Sequence, residues 1–144
     1  MSEIPECGVD LIKRFEGCEL TAYQDQGGVL SVGYGHTGDD VCEGMTITQE
    51  QADDFLEQDL QTSQNAIDQL VTVPLTKNQN GALLSFVYNV GQGNFKKSTL
   101  LKRLNANQYL LAADQFPAWD KVDGLVNAGL HRRRLAEQEL FNGD

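Results

Sequence analysis

No apolar run in this sequence comes near the ~20 residues that a membrane-crossing helix requires, so no transmembrane span and no membrane insertion are expected. The start, Met-Ser-Glu-Ile-Pro-Glu-Cys, has neither a basic segment nor an apolar core and does not read as a secretion leader. No cysteine and histidine cluster has the spacing of a zinc site, and neither a metal nor a cofactor is expected. There are no internal repeats and no low-complexity segments. Positive charge is scarce: 11 lysines and arginines stand against 21 aspartates and glutamates, for a net charge of −10. That acidity, with no nucleic-acid motif, argues against nucleic-acid binding. Cysteine is scarce and odd in number, so at least one of the three has no partner within a monomer. Without a leader, reduced thiols in a cytoplasmic setting are expected, while a bridge between two of Cys7, Cys18 and Cys42 after release stays open.

What is present suits a soluble globular protein. The 144 residues, 40% hydrophobic and 22% charged, are enough for one domain with a real core, in two lobes around one helix. The charge is uneven. Residues 1–72 carry fifteen acids and two bases, a balance of −13; residues 73–144 carry six acids and nine bases, a balance of +3.

The chemistry concentrates in residues 15–37. Leu11, Ile12 and Phe15 recur at helical spacing, so residues 6–16 read as a helix that Glu16 closes and Gly17 ends. Gln26-Gly27-Gly28 then separates Ala22-Tyr23-Gln24-Asp25 from Val29-Leu30-Ser31-Val32, and the two glycines can supply the positive φ of a tight hairpin. Side chains alternate along a strand, so Asp25 at the end of the first strand and Ser31 within the second can face one space, which Glu16 enters from the helix end. Two carboxylates across a cleft are what glycoside hydrolysis needs: one protonates the leaving oxygen, and the other acts as a base on water or as a nucleophile. Spacing by itself leaves plainer readings open. A glutamate at a helix end is commonly a solvated charge, an aspartate before Gly-Gly commonly shapes the turn, and a strand serine is commonly only polar. His36, beside a glycine turn, reads as a hydrogen-bonded structural group.

Further along, Thr48 and Gln51 form a capping box that opens a long helix, 49–70. Ala52, Phe55, Leu56, Leu60, Ser63, Ile67 and Leu70 make one narrow stripe on it, and Asp53, Asp54, Glu57 and Asp59 crowd the other side. Such a helix suits a spine between lobes at about 1–60 and 72–144. Thr76 and Gln79 form a second capping box, and the nearly apolar 81–90, stopped by Gly91, reads as the buried centre of the second lobe. Ser98 caps a short helix, Asn105-Ala-Asn107 breaks the chain, and 109–116 is a further helix ended by Pro117. Trp119 anchors the segment after it, and Asn127 caps a last helix with Leu130, Leu135, Leu140 and Phe141 as core candidates. At least one of Arg132, Arg133 and Arg134 reads as part of a solvated helix face.

The wording of these stretches resembles the phage-type lysozymes, in particular the lambdoid-phage endolysin branch. Phe-Glu-Gly, Ala-Tyr-x-Asp-x-x-Gly and Val-Gly-Tyr-Gly-His-Thr carry the resemblance in the first half. Phe86-Val-Tyr-Asn-Val-Gly-x-Gly-x-Phe95, Ser98-Thr-Leu-Leu and Gly129-Leu-x-x-Arg-Arg-x-x-Glu137 carry it in the second, so that it spans about residues 9–142. It implies an α+β lysozyme-like fold, with a short antiparallel sheet in a small N-terminal lobe, a long connecting helix and an all-helical C-terminal lobe. It implies Glu16 and Asp25 as the catalytic acids, with Ser31 where the family carries threonine. That departure keeps the hydroxyl and loses a methyl group, and with it some of the packing that orients the hydroxyl. The resemblance further implies Arg133 beside the catalytic glutamate, Thr37, Tyr88 and Ser98 along the sugar cleft, and His36 as a supporting group outside the catalytic trio. Tyr88, an aromatic on a buried helix, equally reads as core.

The implied activity is hydrolysis of the β-1,4 bond between N-acetylmuramic acid and N-acetylglucosamine in bacterial peptidoglycan, with inversion at the anomeric carbon and without metal or cofactor. Glu16 is then the general acid and must hold its proton near neutral pH, while Asp25 and Ser31 order the attacking water. The implied setting is that of a phage endolysin, a monomer in the host cytoplasm until a separate holin-type protein lets it reach the wall. Two other readings compete. A lytic transglycosylase uses one acid and no water, and the presence of Asp25 speaks against it. A non-catalytic glycan-binding module with a decayed site has only Ser31 in its support.

Overall fold

The computed structural model describes residues 3–25 and 27–143; Gln26, in the expected hairpin turn, lies outside them. Helix α1 (Glu6–Glu16) carries Glu6 in its first turn and Lys13 and Arg14 in its last, the polarity that its dipole favours. It ends at Gly17, where φ is 65°. Positions four apart stack on one helix face. Gly8 and Ile12 are the buried residues of that face, and Glu16 is its last member.

Strands β1 (Glu19–Gln24) and β2 (Leu30–Gly33) pair antiparallel, with Tyr23 opposite Ser31 and Gln24 opposite Leu30. Of the two turn glycines, only Gly28 takes the positive φ, at 80°. A small hydrophobic cluster of Val32, Val41, Ile47 and Ala52 backs this hairpin.

Helix α2 (Gln49–Leu70) starts at the expected capping box of Thr48 and Gln51, and helix α3 (Lys77–Val90) at that of Thr76 and Gln79. Residues 81–87 of α3 are all buried, and Gly91 ends it at φ 89°. The main core gathers on α3, with Phe86 edge-on to Phe95, Phe116 and Trp119. Helix α1 meets α3 backbone to backbone. A Cβ on Gly8 would stand 2.7 Å from the Gly81 carbonyl oxygen, and one on Gly81 would stand 2.5 Å from Cys7 Sγ. Glycine at both positions permits that approach, and it brings Glu16 level with Tyr88 and Asn89 at the far end of α3.

The rest of the second half is built of α4 (Gln92–Lys97), α5 (Thr99–Asn105), α6 (Tyr109–Ala113), a 3₁₀ turn (Phe116–Ala118), strands β3 (Lys121–Val122) and β4 (Leu125–Val126), and α7 (Ala128–Asn142). Four details depart from the sequence reading. Helix α4 has no counterpart in it. Helix α6 ends three residues early, and Pro117 sits inside the 3₁₀ turn instead of terminating an α-helix. The expected all-helical lobe contains the β3–β4 hairpin, whose turn is Asp123-Gly124, with φ of 52° and 80°. On α7, Leu135 is exposed, while Arg133, Arg134 and Glu137 are buried with Phe141. Asn127 caps α7 as expected, accepting from Leu130 N. All three cysteines are free thiols. No helix among the described residues is long and apolar enough to cross a membrane.

Candidate active site

Glu16, Asp25 and Ser31 line one small cavity of about 140 Å³, together with Tyr23, Gly35, Thr37, Tyr88 and Asn89. A larger cleft of about 730 Å³, lined by Phe15, Glu16, Tyr23, Asp25, Asn89 and Arg133 among others, shares its acids. Each side chain arrives there for a local reason. Glu16 ends the buried face of α1 and is 18% exposed at its side chain. Tyr23 faces Ser31 across the β1–β2 ladder, and Asp25, two positions on, lies on the same side.

Asp25 is divided between two tasks. Its Oδ1 accepts from the backbone N–H groups of Gly27 and Val29, both at 2.9 Å, which closes the turn. Among the described residues of the turn, Oδ2 accepts no such bond. Asp25 thus both closes the turn and lines the cavity. Ser31 is 1% exposed, and its hydroxyl donates to the Val29 carbonyl at 3.2 Å. With the proton directed there, the oxygen has lone pairs for a water in the cavity.

Glu16 is held from two sides. Arg133 Nη1 donates to Glu16 Oε2 at 2.7 Å. On the other side a Cβ at Gly35 would lie 2.6 Å from Oε1, so the backbone there fits the carboxyl with no room for a side chain. Gly35 lies in a tight turn closed by mutual backbone hydrogen bonds between Val32 and His36, with positive φ at Gly33 and Gly35.

His36 secures that turn. Its Nδ1 is 2.7 Å from Asp59 Oδ2 and its Nε2 is 2.9 Å from Asp40 Oδ1, and its ring stacks on Phe55 at 4.1 Å. Two ionised carboxylate partners favour the imidazolium, the form that offers two N–H groups. Burial pulls the His36 pKa down, but the hydrogen bonds to Asp59 and Asp40 outweigh it and hold the group above its ordinary value. Burial holds Asp59 above the usual carboxylate range, against the pull of His36. The tyrosines of the cavity are shifted too. Burial and then Glu16 and Asp25 raise Tyr23, and burial and then Asp59 and Glu16 raise Tyr88 much further. The Tyr88 phenol donates to the Tyr34 carbonyl at 2.6 Å, tying α3 to the same turn.

One expected site residue is not brought in. Ser98 lines neither the cavity nor the cleft. It is buried, its hydroxyl donating to the Phe95 carbonyl at 2.7 Å and accepting from Leu101 N at 3.1 Å. The hydroxyl thus caps α5 and ties it to the end of α4. Thr37 and Tyr88 also line a second cavity, of about 250 Å³, with Asp59 and Gln92.

Sequence reasoning missed the layer behind Glu16. Arg133 packs on Ser85, Ser85 donates to Glu137, and Glu137 pairs with Arg134, which donates to Asn89 Oδ1 at 2.7 Å. Spacing carried a partial signal: Arg133 and Glu137 are four apart on one helix, as are Ser85 and Asn89 on another.

Comparisons with known proteins bear on the family and the fold. The phage lysozyme family model matches residues 13–137. An endolysin of Bacillus phage PZA is 44% identical over 142 residues, which are 97% of this chain and 55% of that protein. The chain thus spans about half of that relative's length. An endolysin of Salmonella phage P22 is 43% identical over 145 residues, covering 98% of this chain and 99% of the relative. Among solved structures, the muramidase domain of SpmX from Asticaccaulis excentricus superposes with a TM-score of 0.89 at 39% identity, over the full length of both chains. The chain belongs to the phage lysozyme family.

Proposed function

We propose that this chain is a muramidase, a glycoside hydrolase that cuts the β-1,4 bond between N-acetylmuramic acid and N-acetylglucosamine in bacterial peptidoglycan, and that it serves as a phage endolysin. The observation that carries the reading is the single cavity shared by two carboxyl groups and a hydroxyl, Glu16, Asp25 and Ser31, beside a cleft roomy enough for sugar units. Glu16 protonates the leaving oxygen. Arg133, 2.7 Å from Oε2, then faces the carboxylate that remains and stabilises the charge as it develops. Asp25 and the Ser31 oxygen hold a water and draw its proton away as it attacks the anomeric carbon. Thr37 and Tyr88, on the rim, are the sugar contacts. The resemblance supports inversion.

In this reading the chain is a single lysozyme domain, with lobes at about 1–60 and 72–144 joined by α2. The hairpin has its own small cluster of Val32, Val41, Ile47 and Ala52, while Ile12, Leu56 and Leu60 join the main cluster of the second half. The enzyme acts as a monomer on the cell wall, after a holin-type protein has released it from the host cytoplasm.

The test is digestion of purified peptidoglycan followed by mass spectrometry of the fragments. Hydrolysis should release fragments with reducing muramic acid ends. Anhydro ends would make the chain a transglycosylase, and wall binding without fragments would make it a glycan-binding module.

A further inference from the structure

We propose that Glu137 and Ser85 are positioning residues for Glu16, acting on it through Arg133. The inference rests on the muramidase reading and extends it one layer inward.

All three guanidinium nitrogens of Arg133 are engaged. Nε lies 3.3 Å from Ser85 Oγ and 3.4 Å from Glu137 Oε2. Nη2 donates to the Ser85 carbonyl at 3.2 Å. Nη1 donates to Glu16 Oε2 at 2.7 Å. A guanidinium is planar and rigid, so pinning two of its nitrogens aims the third. Ser85 and Glu137 do the pinning and are themselves locked together, with Ser85 Oγ donating to Glu137 Oε2 at 2.6 Å. Ser85 and Glu137 have no solvent exposure, and Arg133 has 4%. Of these groups, Glu16 alone opens on the cavity that also holds Asp25 and Ser31.

The surroundings of Glu137 are charged and buried with it. Glu137 sits between two guanidiniums, with Oε1 3.0 Å from Arg134 Nε and Oε2 near Arg133. Its neighbours are donors, and burial pushes its carboxyl above the usual carboxylate range against the pull of the two arginines and of Ser85. Burial lowers the Arg134 pKa to about 10, and Arg134 is still a cation at neutral pH. A buried charge cluster adds little to stability, since apolar packing commonly does as well or better. Its retention here directly behind the acid is accounted for by placement of Arg133.

A positioning role and a structural one part in steady-state kinetics on soluble peptidoglycan fragments, with folding checked by circular dichroism. Glu137→Gln keeps the shape and removes the charge. It should lower kcat on the order of ten- to a hundredfold with KM unchanged, as expected for an acid displaced by a fraction of an ångström. Arg133→Gln should do the same, and the double variant should be no slower than Arg133→Gln alone, because both changes act through one guanidinium. Losses that multiply in the double variant would overturn the proposal. Ser85→Ala keeps every charge and loses one hydroxyl, so it carries the test if Glu137→Gln does not fold. It should lower kcat in the same non-multiplying way, and a folded Ser85→Ala enzyme with the parent's kcat would equally overturn the proposal. A parent enzyme that releases no fragments would overturn the muramidase reading, and this inference with it.

Discussion

Gly35→Ala should cost this enzyme far more rate than stability. The new Cβ would stand 2.6 Å from Glu16 Oε1 and 3.1 Å from its Cδ, whereas ordinary contact begins at 3.4 Å. The carboxyl must then retreat by about 0.8 Å, the difference between 3.4 and 2.6 Å. A free side-chain end would swing aside cheaply. Glu16 is not free, because Oε2 is tied at 2.7 Å to a buried arginine that Ser85 and Glu137 hold in turn. Retreat breaks that bond or drags the acid off line, and misplacement of a reacting group by about 1 Å can cost roughly a hundredfold in rate. The backbone adds a smaller penalty, since φ at Gly35 is 84° and a left-handed conformation costs an L-residue about 1–2 kcal/mol. Gly44→Ala separates the two effects. Its φ is 78° and nothing lies within 4 Å of its Cβ position, so it should lower the melting temperature and leave the rate alone. The assay is initial-rate hydrolysis of purified peptidoglycan beside thermal unfolding. A Gly35→Ala enzyme with the parent's kcat would refute the claim that the Glu16 carboxyl is held where it works.

Three further outcomes are expected from the same geometry. Ser31→Thr should match the parent rate, and Ser31→Ala should lose part of the roughly 10²–10⁴-fold that positioned base catalysis supplies; an alanine enzyme at parental turnover would remove Ser31 from the mechanism. His36 has a folded pKa above its unfolded value, so its contribution to stability is complete below about pH 6.5 and is lost as pH rises through the folded value. Urea midpoints of the parent should therefore fall with pH above that point and those of His36→Gln should fall less, while equal slopes would discount the Asp59 and Asp40 contacts. Gly81→Ala should destabilise the fold by ~1–3 kcal/mol through overpacking against Cys7 and Gly8; an unchanged denaturation midpoint would mean that α1 and α3 are not held at that closeness.

The parts of the fold that local chemistry determines are legible in the sequence. Thr48 with Gln51, and Thr76 with Gln79, mark where α2 and α3 begin, because a capping box satisfies its own orphan groups within four residues. Gly17 and Gly91 mark two helix ends for the same local reason. The hairpin that carries Asp25 and Ser31 is legible from alternation and its glycines. The β3–β4 hairpin is as legible in principle, since Asp-Gly between Val122 and Leu125 is a strong turn signal, and the expectation of an all-helical lobe overlooks it. The buried charges of α7 are of another kind. Arg133 and Glu137 go inside because Ser85, some fifty positions earlier, meets them there, and no periodicity on α7 records that partner. Leu135 leaves the core for the same cause, since the face it shares is turned outward once the charged face is buried. Ser98 shows the converse limit. A hydroxyl's position in a motif does not reveal that two neighbouring helix ends engage it, Phe95 of α4 taking its proton and Leu101 of α5 donating to it.

The central claim is that Glu16 delivers the proton. Glu16→Gln replaces the acid by an amide of the same size, which cannot donate as an acid yet can still accept from Arg133 Nη1. The measurement is lysis of permeabilised Gram-negative cells by the purified variant, with its unfolding transition recorded alongside. The variant should fold and show no lytic activity. A folded Glu16→Gln variant that lyses cells at the parent's rate would contradict it.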